Sequence, residues 1–260
     1  MLYLNITLNF KMKYVSVIVP YYKKKKFIQA TLNSILNQTY KHFEIILVYD
    51  DEDKTDLSFL KKLQKKDKRI KIILNKKNIG AGKSRNKAIK IAKGNYIAFL
   101  DSDDLWLKDK LKFQINFMKK KKALISSTSY KIIDEKNKSV SFRQTEKVIT
   151  FEKLLRSCDI GLSTVIIKKN VFYKKIEFPD LKTKEDFVMW LQILKLFKCN
   201  VYGLNKVLTK WRKTRNSLSS DSIQKIFDGF KVYNKYLNFN IFKSIYFLLI
   251  LSINFLRKNY

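Results

Sequence analysis

Apolar positions in the first hundred residues form short unbroken runs, separated by stretches in which they recur every three or four residues. Residues 15–19 (VSVIV) are a largely β-branched run closed by Pro20, the pattern of a strand buried on both faces. Residues 27–36 then place Phe27, Ile28, Leu32, Ile35 and Leu36 on one helical stripe. Residues 45–48 predict a second buried strand, and Leu57, Leu60 and Leu63 a second helix. Ile70–Leu74 predicts a third strand. Gly80-Ala81-Gly82 opens a helix through Ala88, Ile89, Ile91 and Ala92, which Gly94 stops, and residues 96–100 predict a fourth strand. A further helix is expected over residues 105–117. Alternation with short links predicts an α/β fold, a doubly wound and mostly parallel sheet flanked by helices. Such sheets bind ligands beyond the carboxyl ends of their strands.

Those carboxyl ends are acidic. Asp50, Asp51, Glu52, Asp53 and Asp56 follow the second strand, and Asp101, Asp103 and Asp104 follow the fourth. Eight of the 22 acidic residues thus sit in two loops of a chain whose net charge is +33, so solvation alone is a poor explanation. Like charges held close repel unless a cation compensates them. One histidine, His42, and two cysteines, Cys158 and Cys199, supply no soft ligand set. An oxygen-bound Mg2+ or Mn2+ is therefore the natural counter-charge. The competing reading is helix capping, which suits Asp103 or Asp104 but leaves Asp101 unexplained.

The basic excess is mostly lysine, 48 against 7 arginines, and so permits anionic partners without specifying nucleic acid, whose readers favour arginine forks. Two cysteines make no disulfide framework and match no zinc spacing. No Walker pattern or dinucleotide fingerprint is present, which excludes ordinary P-loop NTPases and dehydrogenases. Residues 1–12 lack a basic n-region and a small-residue cleavage site, and are expected to be an extension outside a cytoplasmic catalytic domain spanning 13–220. His42 is expected to face solvent and Trp190 to be core.

Residues 221–260 predict a C-terminal helical tail. Its apolar stretch, residues 241–256, is interrupted by Lys243, Ser252 and Asn254 and ends at Arg257-Lys258. It is shorter than the ~20 residues that span a bilayer. Peripheral contact with an anionic membrane, contact with another subunit of a homo-oligomer, and packing on the catalytic domain are the three readings. The lysine runs 23–26 and 119–122 are expected to be solvated.

Four blocks occur in an order that resembles the family 2 inverting glycosyltransferases of GT-A fold: SVIVPYY (16–22), FEIILVYDDEDKTD (43–56), NIGAGKSRNKAIKIAKGNYIAFLDSDDLW (78–106) and KEDFVMWLQI (184–193). The resemblance implies a nucleotide-sugar donor, most simply a UDP-sugar, and a glycan or lipid-linked acceptor. It implies that Pro20, Tyr21 and Tyr22 line the base and ribose pocket, and that Asp50 or Asp51 reads the nucleoside. The loop departs from the family there, since Tyr49 stands near the usual first aspartate. Arg85 either approaches the phosphates or is a surface charge. Asp101, Ser102 and Asp103 resemble the DxD motif, with Asp101 and Asp103 as metal-side carboxylates.

Of Glu185-Asp186, the resemblance implies that Asp186 is the general base, while Thr183-x-x-Asp186 also reads as a capping box before a helix. Thr214 stands where family members carry a histidine, with Arg212, Lys213 and Arg215 near it. Two other classes compete: a basic nucleic-acid-binding protein, which the acidic strand ends oppose, and a sugar nucleotidyltransferase, which lacks its basic glycine-rich signature here.

Overall fold

A computed structural model describes residues 14–214 and 221–259. The extension expected over residues 1–12, and with it Arg215, lies outside the described residues. The apolar runs form β1 (Val15–Tyr21), β2 (Phe43–Tyr49), β3 (Ile70–Leu74) and β4 (Tyr96–Phe99), all parallel in the order β3-β2-β1-β4. Every residue of β1, β2 and β4 is buried, which is why their sequences carry no polar alternation. The linking helices are α1 (Lys25–Leu36), α2 (Leu57–Lys66) and α3 (Ala81–Ile91). Val15, Val17 and Val19 pack with Ile28, Leu32 and Leu60 on one face of the sheet; Ile18, Ile46 and Val48 pack with Ala88 and Ile89 on the other.

Beyond β4 the sheet becomes mixed. The chain forms β5 (Leu105–Trp106), α4 (Lys110–Lys121), β6 (Ile125–Ile133), β7 (Ser139–Arg143), β8 (Val148–Ile149), α5 (Phe151–Arg156), β9 (Ile166–Lys168), α6 (Glu185–Phe197) and β10 (Val201–Arg212). The ten-stranded sheet continues β4-β9-β6-β10-β5, with β9 antiparallel to both its neighbours and β10 parallel to β6. The helix expected over residues 105–117 begins only at Lys110, because Leu105 and Trp106 pair with β10 and the Trp106 indole N–H donates to Ser163 O at 2.8 Å. Asp103 and Asp104 therefore cap no helix.

Gly94 also acts differently from the expectation. Helix α3 has already ended at Ile91, and Gly94 lies against β1. Its N–H donates to Ser16 Oγ at 2.8 Å, and a Cβ there would come within 2.5 Å of Ser16 N. Gly94→Ala is expected to destabilise the fold by about 1–3 kcal/mol through overpacking. The check is urea unfolding, with a lower midpoint at unchanged slope.

The tail forms α7 (Ser222–Lys231), a π-helical stretch at Val232–Tyr236 and α8 (Ile241–Asn259). It joins the core through Tyr233, Phe247 and Leu251. Among the described residues no helix is long and apolar enough to cross a membrane. His42 is exposed, and Trp190 is fully buried against Phe99 and Phe178.

Candidate active site

The parallel strands end side by side, so their carboxyl-end loops share one edge of the sheet. At the end of β2, Asp50 is buried and its carboxylate accepts three hydrogen bonds: Oδ1 from Asn75 Nδ2 and Ile79 N at 2.8 Å, and Oδ2 from Gly80 N at 2.9 Å. It ties the entry of α3 to the sheet. Asp51, also buried, accepts from Asp53 N at 3.2 Å and from no other group among the described residues. Of the two aspartates left open by the sequence, Asp51 thus keeps acceptor capacity for a ligand. Tyr21 offers no free stacking face. Its ring is fully buried and stacked on Tyr49 at 5.4 Å, and its hydroxyl donates to Asp56 Oδ2 at 2.6 Å. Burial and that carboxylate push the phenol well up. Tyr22, just beyond the end of β1, is 44% exposed, while Pro20 is buried within the strand.

At the end of β4, three aspartates take three roles. Asp104 is buried and structural: Oδ2 accepts from Ser163 Oγ at 2.5 Å and Oδ1 from Arg212 N at 2.7 Å. Burial, then the charges of Asp103 and Asp101, push its carboxyl well up. Asp103 Oδ2 pairs with Lys24 Nζ at 2.8 Å, and the same ammonium donates to Thr214 Oγ1 at 3.3 Å. Lys24 is therefore not a merely solvated member of its lysine run. Burial raises the Asp103 carboxyl, and Lys24 works against that rise. Ser102 is buried, and its carbonyl accepts from Thr31 Oγ1 at 3.0 Å. Arg212 donates from Nε to Asp103 O at 2.7 Å and braces the loop.

Asp101 faces the acidic pair through one side chain. Arg85, 3% exposed, donates from one guanidinium nitrogen to Asp101 Oδ1 at 2.7 Å and from the other to Glu185 Oε1 at 2.8 Å. Its Nε has no acceptor among the described residues. Arg85 is thus not a surface charge; it is a buried strut between Asp101 and Glu185. Gly82 lets the first turn of α3 approach α6, since a Cβ there would lie 3.3 Å from Glu185 Cγ.

The capping box does not form. Lys184, with φ 64°, occupies the position before α6, and Thr183 Oγ1 turns to Asp228 Oδ2 at 3.1 Å. Asp186 Oδ1 accepts from Phe187 N at 2.7 Å. Burial pushes Glu185 up to about 7 and raises Asp186 as well, with Arg85 opposing both shifts. Cys158, whose thiol burial raises to about 12, lies within the field of this pair. It has no local sequence signal and was not anticipated. Neither were Lys24 and Ser163, whose partners are distant in the chain.

The sequence model described as Glycosyl transferase family 2 matches residues 16–177, and the chain belongs to that family. It is 35% identical over 235 residues to the Escherichia coli protein WfgD, a UDP-Glc:alpha-D-GlcNAc-diphosphoundecaprenol beta-1,3-glucosyltransferase, covering 90% of each chain. It is 39% identical over 217 residues to a second Escherichia coli glucosyltransferase, WfaP, named for the same donor and acceptor, covering 83% of each. The crystal structure of Staphylococcus aureus TarS 1-349 in complex with UDP-GlcNAc superposes with a TM-score of 0.70 at 24% identity, over 90% of this chain and 70% of that one. The fold is GT-A, and the protein is a family 2 glycosyltransferase.

Proposed function

We propose that the protein is a metal-dependent, inverting glycosyltransferase that moves a sugar from a UDP-sugar to a hydroxyl of a lipid-linked glycan. The observation that carries this reading is the Arg85 strut, which joins a donor-side aspartate, Asp101, to the Glu185-Asp186 pair. The resemblance assigns donor and base roles to these two loops, and one rigid contact fixes their separation. The names of WfgD and WfaP support the donor and acceptor classes. A β-linked product from an α-linked UDP-sugar also requires inversion.

The donor set fits a hard cation. Asp101 gives one oxygen to Arg85 and Asp103 one to Lys24, so each carboxylate keeps its other oxygen. Among the described residues no three His, Cys, Asp or Glu side chains form a ready-made cage. One or two carboxylates completed by substrate phosphates are the usual arrangement for Mg2+. A bound Mg2+ or Mn2+ supplies charge neutralisation to the departing diphosphate. Tyr22 and Asp51 would take the base and nucleoside. Asp186 accepts the proton of the acceptor hydroxyl, whose oxygen bonds to the anomeric carbon from the face opposite UDP. The sugar–phosphate bond breaks with its electron pair on the UDP oxygen.

The test is calorimetric titration of UDP, GDP and CDP, each with and without Mn2+. UDP alone is expected to bind tightly, with Mn2+ strengthening it, and Asp103→Asn is expected to remove the Mn2+ effect. Binding of none of the three, or of UDP equally with and without Mn2+, overturns the donor or the metal assignment respectively. Release of pyrophosphate from UTP and a sugar phosphate would instead favour a nucleotidyltransferase.

A further inference from the structure

Helix α8 is apolar on two opposite sides, and the catalytic domain covers only one. On the covered side Phe247 stacks on Tyr233 at 5.5 Å, Ser244 and Leu251 are buried, and Asn254 Nδ2 donates to Arg156 O at 2.9 Å. On the other side Phe242, Tyr246, Leu249, Ile253 and Leu256 recur at helical spacing, and each is between 48% and 85% exposed. Helix α7 repeats the pattern with Ile223, Ile226 and Phe227, all more than half exposed. The two helices touch closely, since a Cβ on Gly229 would lie 2.9 Å from Leu248 Cδ1. The Lys225 ammonium of α7 also stands 5.5 Å from the Phe255 ring of α8. Two adjacent helices with uncovered apolar stripes are far more than scattered surface hydrophobes.

Charge selects the occupant. Residues 221–260 carry six cationic side chains against Asp221 and Asp228, and Asp228 is buried and paired with Lys231. The whole chain carries +33, so a second copy is repelled by net like charge, while an anionic bilayer is attracted. Lys243 folds back over the Phe239 ring at 4.2 Å, and Arg257 is exposed beyond the end of the apolar stripe. Cations bordering an apolar stripe match the headgroup–acyl boundary, and the helix is not long and apolar enough to span.

We propose that the exposed face of α7 and α8 seats the enzyme on the surface of an anionic phospholipid bilayer, with the α8 stripe in the headgroup–acyl boundary. The seating does not depend on the donor or acceptor reading, because it is measured without turnover.

The test is co-sedimentation of the full chain with vesicles of phosphatidylcholine alone and of phosphatidylcholine mixed with phosphatidylglycerol, at low and high salt. Binding to the mixed vesicles is expected, weaker on phosphatidylcholine and reduced by salt. The double variant Phe242→Asp/Leu249→Asp is expected to lose vesicle affinity by about tenfold or more. Its UDP binding and circular dichroism should stay unchanged, because both side chains are exposed. Phe142→Ser, on the exposed strand β7, is expected to bind vesicles as the parent does. The proposal is overturned if the parent stays in the supernatant or if the double variant binds vesicles as the parent does. It is equally overturned if light scattering shows a dimer that the double variant dissociates while vesicle binding is absent; the face is then an interface between copies.

Discussion

Asp186→Asn lowers kcat by about 10²–10⁴-fold, the usual contribution of a positioned general base. The affinity for UDP with Mn2+ stays unchanged. The substitution is nearly isosteric and keeps an oxygen for Phe187 N, so the start of α6 is preserved. The expected split follows from position: Asp186 lies at the head of α6, whereas the donor-side residues sit at the ends of β1, β2 and β4. The parent's pH profile carries a second sign of the same role. A base must be ionised to accept a proton, so activity falls as pH drops through the titration of the pair. Burial pushes Glu185 up to about 7 and raises Asp186, and the two titrate together as neighbours. The acid limb of kcat/KM is therefore expected at higher pH than the titration of an ordinary exposed carboxylate. Loss of UDP binding in Asp186→Asn would place the residue in the donor pocket and leave the base unassigned.

The parts of this site that the sequence reveals are those with local signatures. Strands buried on both faces must be continuous apolar runs, and β1, β2 and β4 read that way without ambiguity. Their acidic carboxyl ends were equally visible against a basic chain. Roles decided by contacts across the fold were not. Nothing around residues 23–26 distinguishes Lys24, yet it meets Asp103 and Thr214 from opposite parts of the chain. Asp50 and Asp51 are adjacent and chemically identical; only the folded loop shows that Ile79 and Gly80 claim the first. Thr183 has the spacing of a cap, but the positive φ of Lys184 turns it away and Asp228, 45 residues on, takes its hydroxyl. The short strand β5 escaped because a two-residue pairing with β10 leaves no periodicity to read. Even so, Asp104, the residue before β5, ties this turn to β10 by accepting from Arg212 N.

Arg85 supports the sharpest separation of position from charge. Its fork spans Asp101 and Glu185, and a lysine ammonium, being a compact point charge, cannot hold both in the same geometry. Arg85→Lys is therefore expected to lower kcat by about 10²-fold through misplacement of the acidic pair. KM for the donor and the position of the acid limb should change little, because a positive charge remains. Arg85→Gln removes the charge as well. Arg85 opposes the upward shifts of Glu185 and Asp186, so its loss raises both carboxyls further and moves the acid limb to higher pH. Removing one partner of a buried ion pair costs about 3–5 kcal/mol, so Arg85→Gln should also unfold at lower urea. The lysine variant serves as the folded reference. A purely structural arginine would destabilise both variants and leave their pH profiles superimposable on the parent's. A phosphate-binding arginine would raise donor KM in both. Only a strut between the donor-side carboxylate and Glu185, the neighbour of the base, gives a kcat loss in the first variant and a displaced acid limb in the second.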